Sequence, residues 1–237
     1  KKMSLPLKEL IKIGQTQLKE AGIGDADRDA RDLYCFLDKI DAVGLMMHWQ
    51  DTLQDNACEA YFDLIQRRAA GEPMQYITGV QEFMGIPFKV TPQVLIPRQD
   101  TETMVEDAIE AIEKGTLRGR PFIKAAAIKE VLDLCTGSGA IGVSIAKMCP
   151  KVKVVCSDIS SEALKIAEEN AQASGCKSVR FQEGDLFSPF CGKLRKKKFD
   201  LIITNPPYIQ TDVIPTLQRE VKDLSLIHIS EPTRRTP

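Results

Sequence analysis

The chain has 237 residues, 43% of them apolar, and a formal net charge of -1; that is room for one large domain beside a small one. The balanced charge excludes bulk attraction to nucleic acid or to an anionic membrane surface, and no run approaches the roughly 20 apolar residues of a membrane span. Seven cysteines at irregular spacing, none in a C-x-x-C pair, support neither a disulfide framework nor a zinc site; they read as reduced, mostly buried thiols of a cytoplasmic protein.

Lys1-Lys2-Met3-Ser4 is followed by no apolar leader core, and Met3 is the expected initiator. From Ser4 to about residue 70 the pattern is helical. Leu7, Leu10, Ile11 and Leu18 form one stripe with Ser4 as its expected cap, and Ala30, Leu33, Tyr34 and Leu37 form a second. Gly22 and Gly24 break the chain between them, and further helices are expected over Val43–Trp49 and Asn56–Ala70. Residues 1–90 hold 11 Lys/Arg against 14 Asp/Glu, which argues against a DNA clamp and fits a basic protein partner. With no cluster of catalytic type, residues 1–72 read as a helical domain for substrate recognition or packing. His48 beside Trp49 is expected to pack rather than to catalyse.

Residues 73–98 mix alternation with breakers, through Gln75–Thr78, Phe83, Ile86, Phe88 and Val90 with Gly79, Gly85 and Pro87. A β-hairpin linking two domains is expected there, with the second domain running from 99 to 237. Arg98 is open to two readings, an anion contact at the site or an ion pair with Asp100 or Glu102. Thr101–Lys114 is an amphipathic helix with Met104, Ala108, Ile109 and Ile112 inward, and Gly115–Lys124 is a loop.

The chemistry begins at Val131-Leu132-Asp133-Leu134-Cys135-Thr136-Gly137-Ser138-Gly139-Ala140-Ile141-Gly142, a short strand, a glycine-rich turn and the start of an apolar helix. Gly137 and Gly139 let the backbone approach a ligand, and Gly142 permits close helix-to-strand packing. A second strand, Lys153–Asp158, ends in an acid about 20 residues after the glycines, the spacing of a ribose-hydroxyl acceptor. The alternative for Asp158 is a plain helix N-cap. Val179–Gln182 reads as a third strand, with Asp185 beyond it. The basic run Lys193–Lys198 reads as a solvated loop.

Phe199–Thr204 reads as a buried central strand that delivers Asn205-Pro206-Pro207-Tyr208 to the edge where ligands bind in open α/β sheets. Two prolines fix the backbone and remove two N–H donors, so carbonyls are left in a set direction. The Asn205 amide oxygen and the Pro206 carbonyl suit one planar NH2 group, and Tyr208 can cover its flat face. A proline-rich turn that merely ends a strand is the other reading of these four residues alone.

Taken in this order, D-L-C-T-G-S-G-A-I-G, the Asp158 strand, Glu183-Gly184-Asp185-Leu186-Phe187 and N-P-P-Y resemble class I S-adenosylmethionine-dependent methyltransferases that act on nitrogen. Gly71-Glu72-Pro73-Met74-Gln75-Tyr76-Ile77-Thr78-Gly79 and Val94-Leu95-Ile96-Pro97-Arg98-Gln99-Asp100-Thr101-Glu102 are similar to the HemK/PrmC family, which methylates the glutamine of the Gly-Gly-Gln tripeptide in peptide chain release factors. The resemblance spans residues 5 to 223. It implies an α/β fold, a Rossmann-like methyltransferase domain behind a small helical domain. It also implies S-adenosyl-L-methionine held by Cys135, Thr136, Gly137, Ser138, Gly139, Asp158, Asp185, Leu186 and Asn205, with Asp185 and Leu186 flanking the adenine. Asn205, Pro206, Pro207 and Tyr208 are the implied catalytic group, release factors the partners, and no metal, membrane or direct nucleic-acid contact is required. A strong general base is absent from the motif, so proton loss is expected to follow transfer. A DNA adenine methyltransferase and a nucleotide-binding reductase are the alternatives; the second leaves N-P-P-Y unexplained. After Asp223 the resemblance stops. Residues from about 224 read as a non-native tail in place of the family's last strands, a change expected to leave a sheet edge exposed and the protein poorly stable and inactive.

Overall fold

A computed structural model describes residues 4–124, 127–191 and 198–206. The chain divides into two compact units, the first running to Thr78 and the second starting at Gly79. The first unit therefore extends past the limit expected at residue 72.

The first unit is built from helices α1 (Leu7–Glu20), α2 (Ala26–Asp38), α3 (Ala42–Met47), α4 (Asp55–Ala69) and α5 (Met74–Thr78), with a minimal antiparallel pair of β1 (Leu5–Pro6) and β2 (Thr52–Leu53). Both expected stripes face one core, where Leu7, Leu10, Ile11, Leu18, Ala30, Leu33 and Tyr34 are joined by Cys58, Tyr61 and Ile65 of α4. Ser4 does not cap α1: Pro6 occupies the N-cap position, and no side chain caps the helix. Gln75–Thr78 is a helical turn instead of the expected strand, because Tyr76 and Ile77 both bury their side chains, which strict alternation forbids. His48 ends α3 and its Nδ1 lies 2.7 Å from Asp51 Oδ2 at the surface, so it is an exposed partner and not a packing residue.

The second unit opens with the expected hairpin, β3 (Val80–Phe83) against β4 (Ile86–Lys89). Its two-residue turn places Met84 and Gly85 at φ of 53° and 71°, the left-handed pair that matches strand twist. Met84 is a bulky residue for that region, and Glu102 Oε1 accepts its backbone N–H at 2.7 Å. Helix α6 (Asp100–Lys114) follows, and its buried stripe takes in Val105 and Ala111 as well as Ala108 and Ile112. The loop expected over Gly115–Lys124 contains a miniature hairpin, β5 (Thr116–Leu117) with β6 (Arg120–Pro121). The Glu110 carboxylate accepts from the Thr116 hydroxyl and from the Arg118 and Gly119 amides.

The sheet holds β7 (Glu130–Leu134), β8 (Lys153–Asp158), β9 (Arg180–Glu183) and β10 (Leu201–Thr204), all parallel, in the order β10-β7-β8-β9. Helix α7 (Ala140–Met148) joins β7 to β8, α8 (Ser161–Ala173) joins β8 to β9, and a single 3-10 turn follows at Ser188–Phe190. One face of the sheet, with Val131, Val154, Cys156 and Ile203, packs with α6, α7 and the hairpin residues Phe83 and Phe88. The other face gathers Leu132, Leu134 and Val155 against Phe190. Each such aliphatic side chain contributes about 1.5 to 3 kcal/mol on burial. Among the described residues β10 pairs with β7 alone, and Ile202 is 46% exposed. The strand expected to be buried there is thus buried at Ile203 and exposed at Ile202. No described helix is long and apolar enough to cross a membrane.

Candidate active site

The first strand of the sheet, β7, has its successors β8 and β9 on one side and β10 on the other, so the strand order reverses between β7 and β10. Such a reversal opens a crevice at the carboxyl ends of the strands, where α/β sheets bind ligands. The chain segments leaving these two strands are Cys135–Gly139 and Asn205–Pro206. The two motifs that stand 70 residues apart in sequence are thus neighbours, with Leu134 and Thr204 as the last register pair.

The glycine-rich turn is held in shape from beneath. Cys135, Gly137 and Gly139 have φ of 61°, 55° and 81°, and the left-handed backbone costs a residue with a Cβ about 1 to 2 kcal/mol. The compensation is Asp133, wholly buried in β7, whose Oδ2 accepts from the Thr136 hydroxyl and, at 2.9 Å, from the Gly142 N–H at the start of α7. Burial outweighs these donors and pushes the Asp133 carboxyl up to about 7. Its Oδ1 has no hydrogen-bond partner among the described residues. Burial, followed by the nearby Asp158 carboxylate, also raises the Cys135 thiol, which is half-buried.

The glycines divide their work differently from the expectation. A Cβ at Gly137 would meet nothing within 4 Å, so this is the position with open space over the backbone. At Gly139 it would stand 3.0 Å from Ala167 Cβ of α8, and at Gly142 2.4 Å from Cys156 Sγ. Both of these glycines serve close packing, and the Gly139 amide is spent on the Thr136 carbonyl. Ser138 is buried, and its carbonyl accepts from Asn170 Nδ2 at 2.8 Å. The same buried Asn170 side chain bonds both the N–H and the carbonyl of Lys89, so α8 ties the end of the hairpin to the turn.

Asp158 ends β8 beside this turn. Its Oδ2 accepts the Gly137 N–H at 2.9 Å and its Oδ1 accepts the Ser160 N–H at 3.0 Å, and the residue is half-buried. It is not the N-cap of α8: that position belongs to Ser160, whose hydroxyl accepts from Ala163 N–H. Beyond it three large apolar side chains lie exposed, Ile159 at 60%, Leu186 at 50% and Phe187 at 45%. Leu186 has φ of 46°, and the adjacent Asp185 is exposed. The β8 and β9 ends are held together by the bond from Gly184 N–H to the Asp158 carbonyl.

Asn205 is half-buried at the end of β10, and among the described residues its carboxamide makes no hydrogen bond. Pro206 is exposed beside it. Pro207, Tyr208, most of the basic run and the tail from about 224 lie outside the described residues. Arg98 is exposed and forms no ion pair among the described residues, so neither Asp100 nor Glu102 takes it. Asp133, Asn170, Thr204 and Ile159 were not legible as site residues. A lone acid inside an apolar strand, and an Asn on the buried stripe of α8, were the available signals.

Residues 9–79 match the family model described as the PrmC N-terminal domain, and residues 108–221 match the methyltransferase small domain. The release factor glutamine methyltransferase of Clostridium acetobutylicum is 38% identical over 220 residues, which cover 92% of this chain and 73% of that protein. The enzyme of the same description from Geobacter sulfurreducens is 41% identical over 206 residues, covering 87% of this chain and 66% of that one. A ribosomal protein L11 methylase from Lactobacillus delbrueckii subsp. bulgaricus, a solved structure, is 29% identical with a TM-score of 0.35, covering 51% of this chain and 54% of that one. Some of these relatives extend well beyond the matched region, but the match to the first spans both units. The chain belongs to the release factor glutamine methyltransferase family.

Proposed function

We propose that this protein transfers a methyl group from S-adenosylmethionine to the side-chain amide nitrogen of the glutamine in the Gly-Gly-Gln motif of peptide chain release factors, in the cytoplasm where those factors work. The observation that carries this reading is the place of Asn205, directly after the β10 residue that pairs with the last residue of β7, next to the glycine-rich turn at the reversal of strand order. Among the described residues the half-buried Asn205 carboxamide makes no hydrogen bond, so its oxygen remains available to a ligand.

The residues present fit the methyl donor. Open space over Gly137 gives a charged chain room to lie close to the backbone. Asp158 keeps lone pairs for ribose hydroxyls beyond its two backbone bonds. Ile159, Leu186 and Phe187 offer apolar surface of the kind a purine ring covers. When bound, S-adenosylmethionine supplies an electrophilic methyl carbon on a sulfonium.

The substrate amide is a poor nucleophile because its nitrogen lone pair is delocalised into the carbonyl. Asn205 Oδ1 accepts one N–H of that amide and the Pro206 carbonyl accepts the other, which fixes the nitrogen's direction. Both acceptors also favour the positive charge that builds on nitrogen during transfer. In Asn205→Ala, cofactor affinity stays close to that of the unmodified protein while transfer falls by about two to four powers of ten, the loss expected for a positioning group. Asn205→Asp keeps an acceptor in the same space and retains measurable transfer. Methylation of a release factor by Asn205→Ala at the unmodified rate would overturn the reading.

A further inference from the structure

We propose that Thr204 is a positioning residue for methyl transfer, its hydroxyl pinning the Asn205 segment to the exit of the strand that carries the glycine-rich turn. The inference rests on the function proposed above. Thr204 and Leu134 are the last pair in the β10–β7 register, after which both chains leave the sheet. The two groups that must meet, an amide-holding segment and a donor-holding turn, therefore diverge from this one pair.

At that pair the ladder is extended by a side chain. Thr204 Oγ1 donates to the Leu134 carbonyl at 2.7 Å. The hydroxyl thus holds the last residue of β7, from which the turn departs, while the Thr204 backbone leads directly into Asn205. Thr204 is partly buried, so the bond is shielded from competing water. Its neighbour Cys135 sits at φ 61°, a conformation that persists only where surroundings hold it. Without the hydroxyl, the last register pair loses its side-chain bond and the two exits are free to shift apart by a fraction of an ångström. Reaction geometry is sensitive to displacements of that size, whereas binding of either substrate is much less so.

The test is Thr204→Val, which keeps shape and β-branching, beside Thr204→Ser, which keeps the hydroxyl. In Thr204→Val, kcat on release factor falls about tenfold while KM and cofactor affinity stay within about twofold, the pattern of lost positioning. Thr204→Ser recovers most of the rate. Backbone hydrogen exchange supplies a readout that needs no substrate: the Cys135 and Asn205 amides exchange faster in Thr204→Val and unchanged in Thr204→Ser. Unaltered kcat together with unaltered exchange in Thr204→Val overturns the inference. If the unmodified protein methylates no release factor yet exchange still accelerates in Thr204→Val, the pin stands and the proposed function falls.

Discussion

Two buried carboxylates, one in each unit, are treated in opposite ways. In the helical unit Asp29 is paired with Arg68 at 2.7 Å, both side chains at most a tenth exposed, and the guanidinium also bonds the Glu72 carbonyl. In the sheet unit Asp133 is fully buried and held by a hydroxyl and a backbone amide, and among the described residues it has no cation against it and one oxygen unpartnered. The difference follows from what each must fix. Asp29 joins α2 to α4, two preformed rods that a charge pair can lock. Asp133 shapes a turn whose own atoms must remain able to face a ligand, so it works through short local donors and stays out of the crevice. The same contrast appears in the other polar groups: Tyr61 donates to the Ala30 carbonyl inside the helical unit, whereas Asp158 and Asn205 retain acceptor capacity at the sheet edge.

Breaking the helical pair is the harshest test of this contrast. Arg68→Ala leaves Asp29 buried and uncompensated, and urea unfolding should show a loss of about 3 to 5 kcal/mol. Cofactor affinity of the folded fraction, measured well below the transition, should hardly change. A reduced affinity with intact stability would mean that the pair belongs to the site after all.

The reverse signature is expected from Asp158→Ala, which removes a charged acceptor from a partly open position. Calorimetry should show S-adenosylmethionine binding weakened by about 1 to 3 kcal/mol, with the unfolding midpoint almost unmoved. Unchanged affinity would remove Asp158 from the site.

The smallest effect is a dependence on pH. Asp133 has its folded value pushed up to about 7 by burial, so the folded state holds a proton that the unfolded chain has released. Stability from this group therefore falls as pH rises from the ordinary carboxylate range toward 7, by about 1 kcal/mol between about pH 5.5 and 6.5. Asp133→Asn should flatten that slope in chemical unfolding at the two pH values. An equal slope in the variant would assign the dependence to other groups.

How much of this could be read beforehand depends on the range of the interactions. The helical stripes, the hairpin and the strand-turn-helix at Val131–Gly142 are local patterns, so residues such as Leu10, Phe88 and Gly142 declared their places through spacing alone. Thr136 is among the ligand contacts that the resemblance implies, yet its hydroxyl is turned to Asp133. Gly139 looked like a point of ligand approach, and only the packing of α8 reveals that Ala167 fills the space. Asn170 and Thr204 were silent because their partners, Lys89 and Leu134, lie 81 and 70 residues away. Helix α5 escaped a reading by alternation because Gln75–Thr78 is too short for either period to dominate.

The central claim is that the Asn205 segment presents a glutamine side-chain amide to the methyl donor beside the glycine-rich turn. The most direct measurement is to incubate the protein with a release factor and S-adenosylmethionine carrying an isotopically labelled methyl group, and to locate the label by peptide mass spectrometry. The account predicts one labelled methyl on the side-chain nitrogen of the Gly-Gly-Gln glutamine, and none when that glutamine is replaced by alanine. Label on another residue of the factor, or on adenine of added DNA with the factor unmodified, would contradict it.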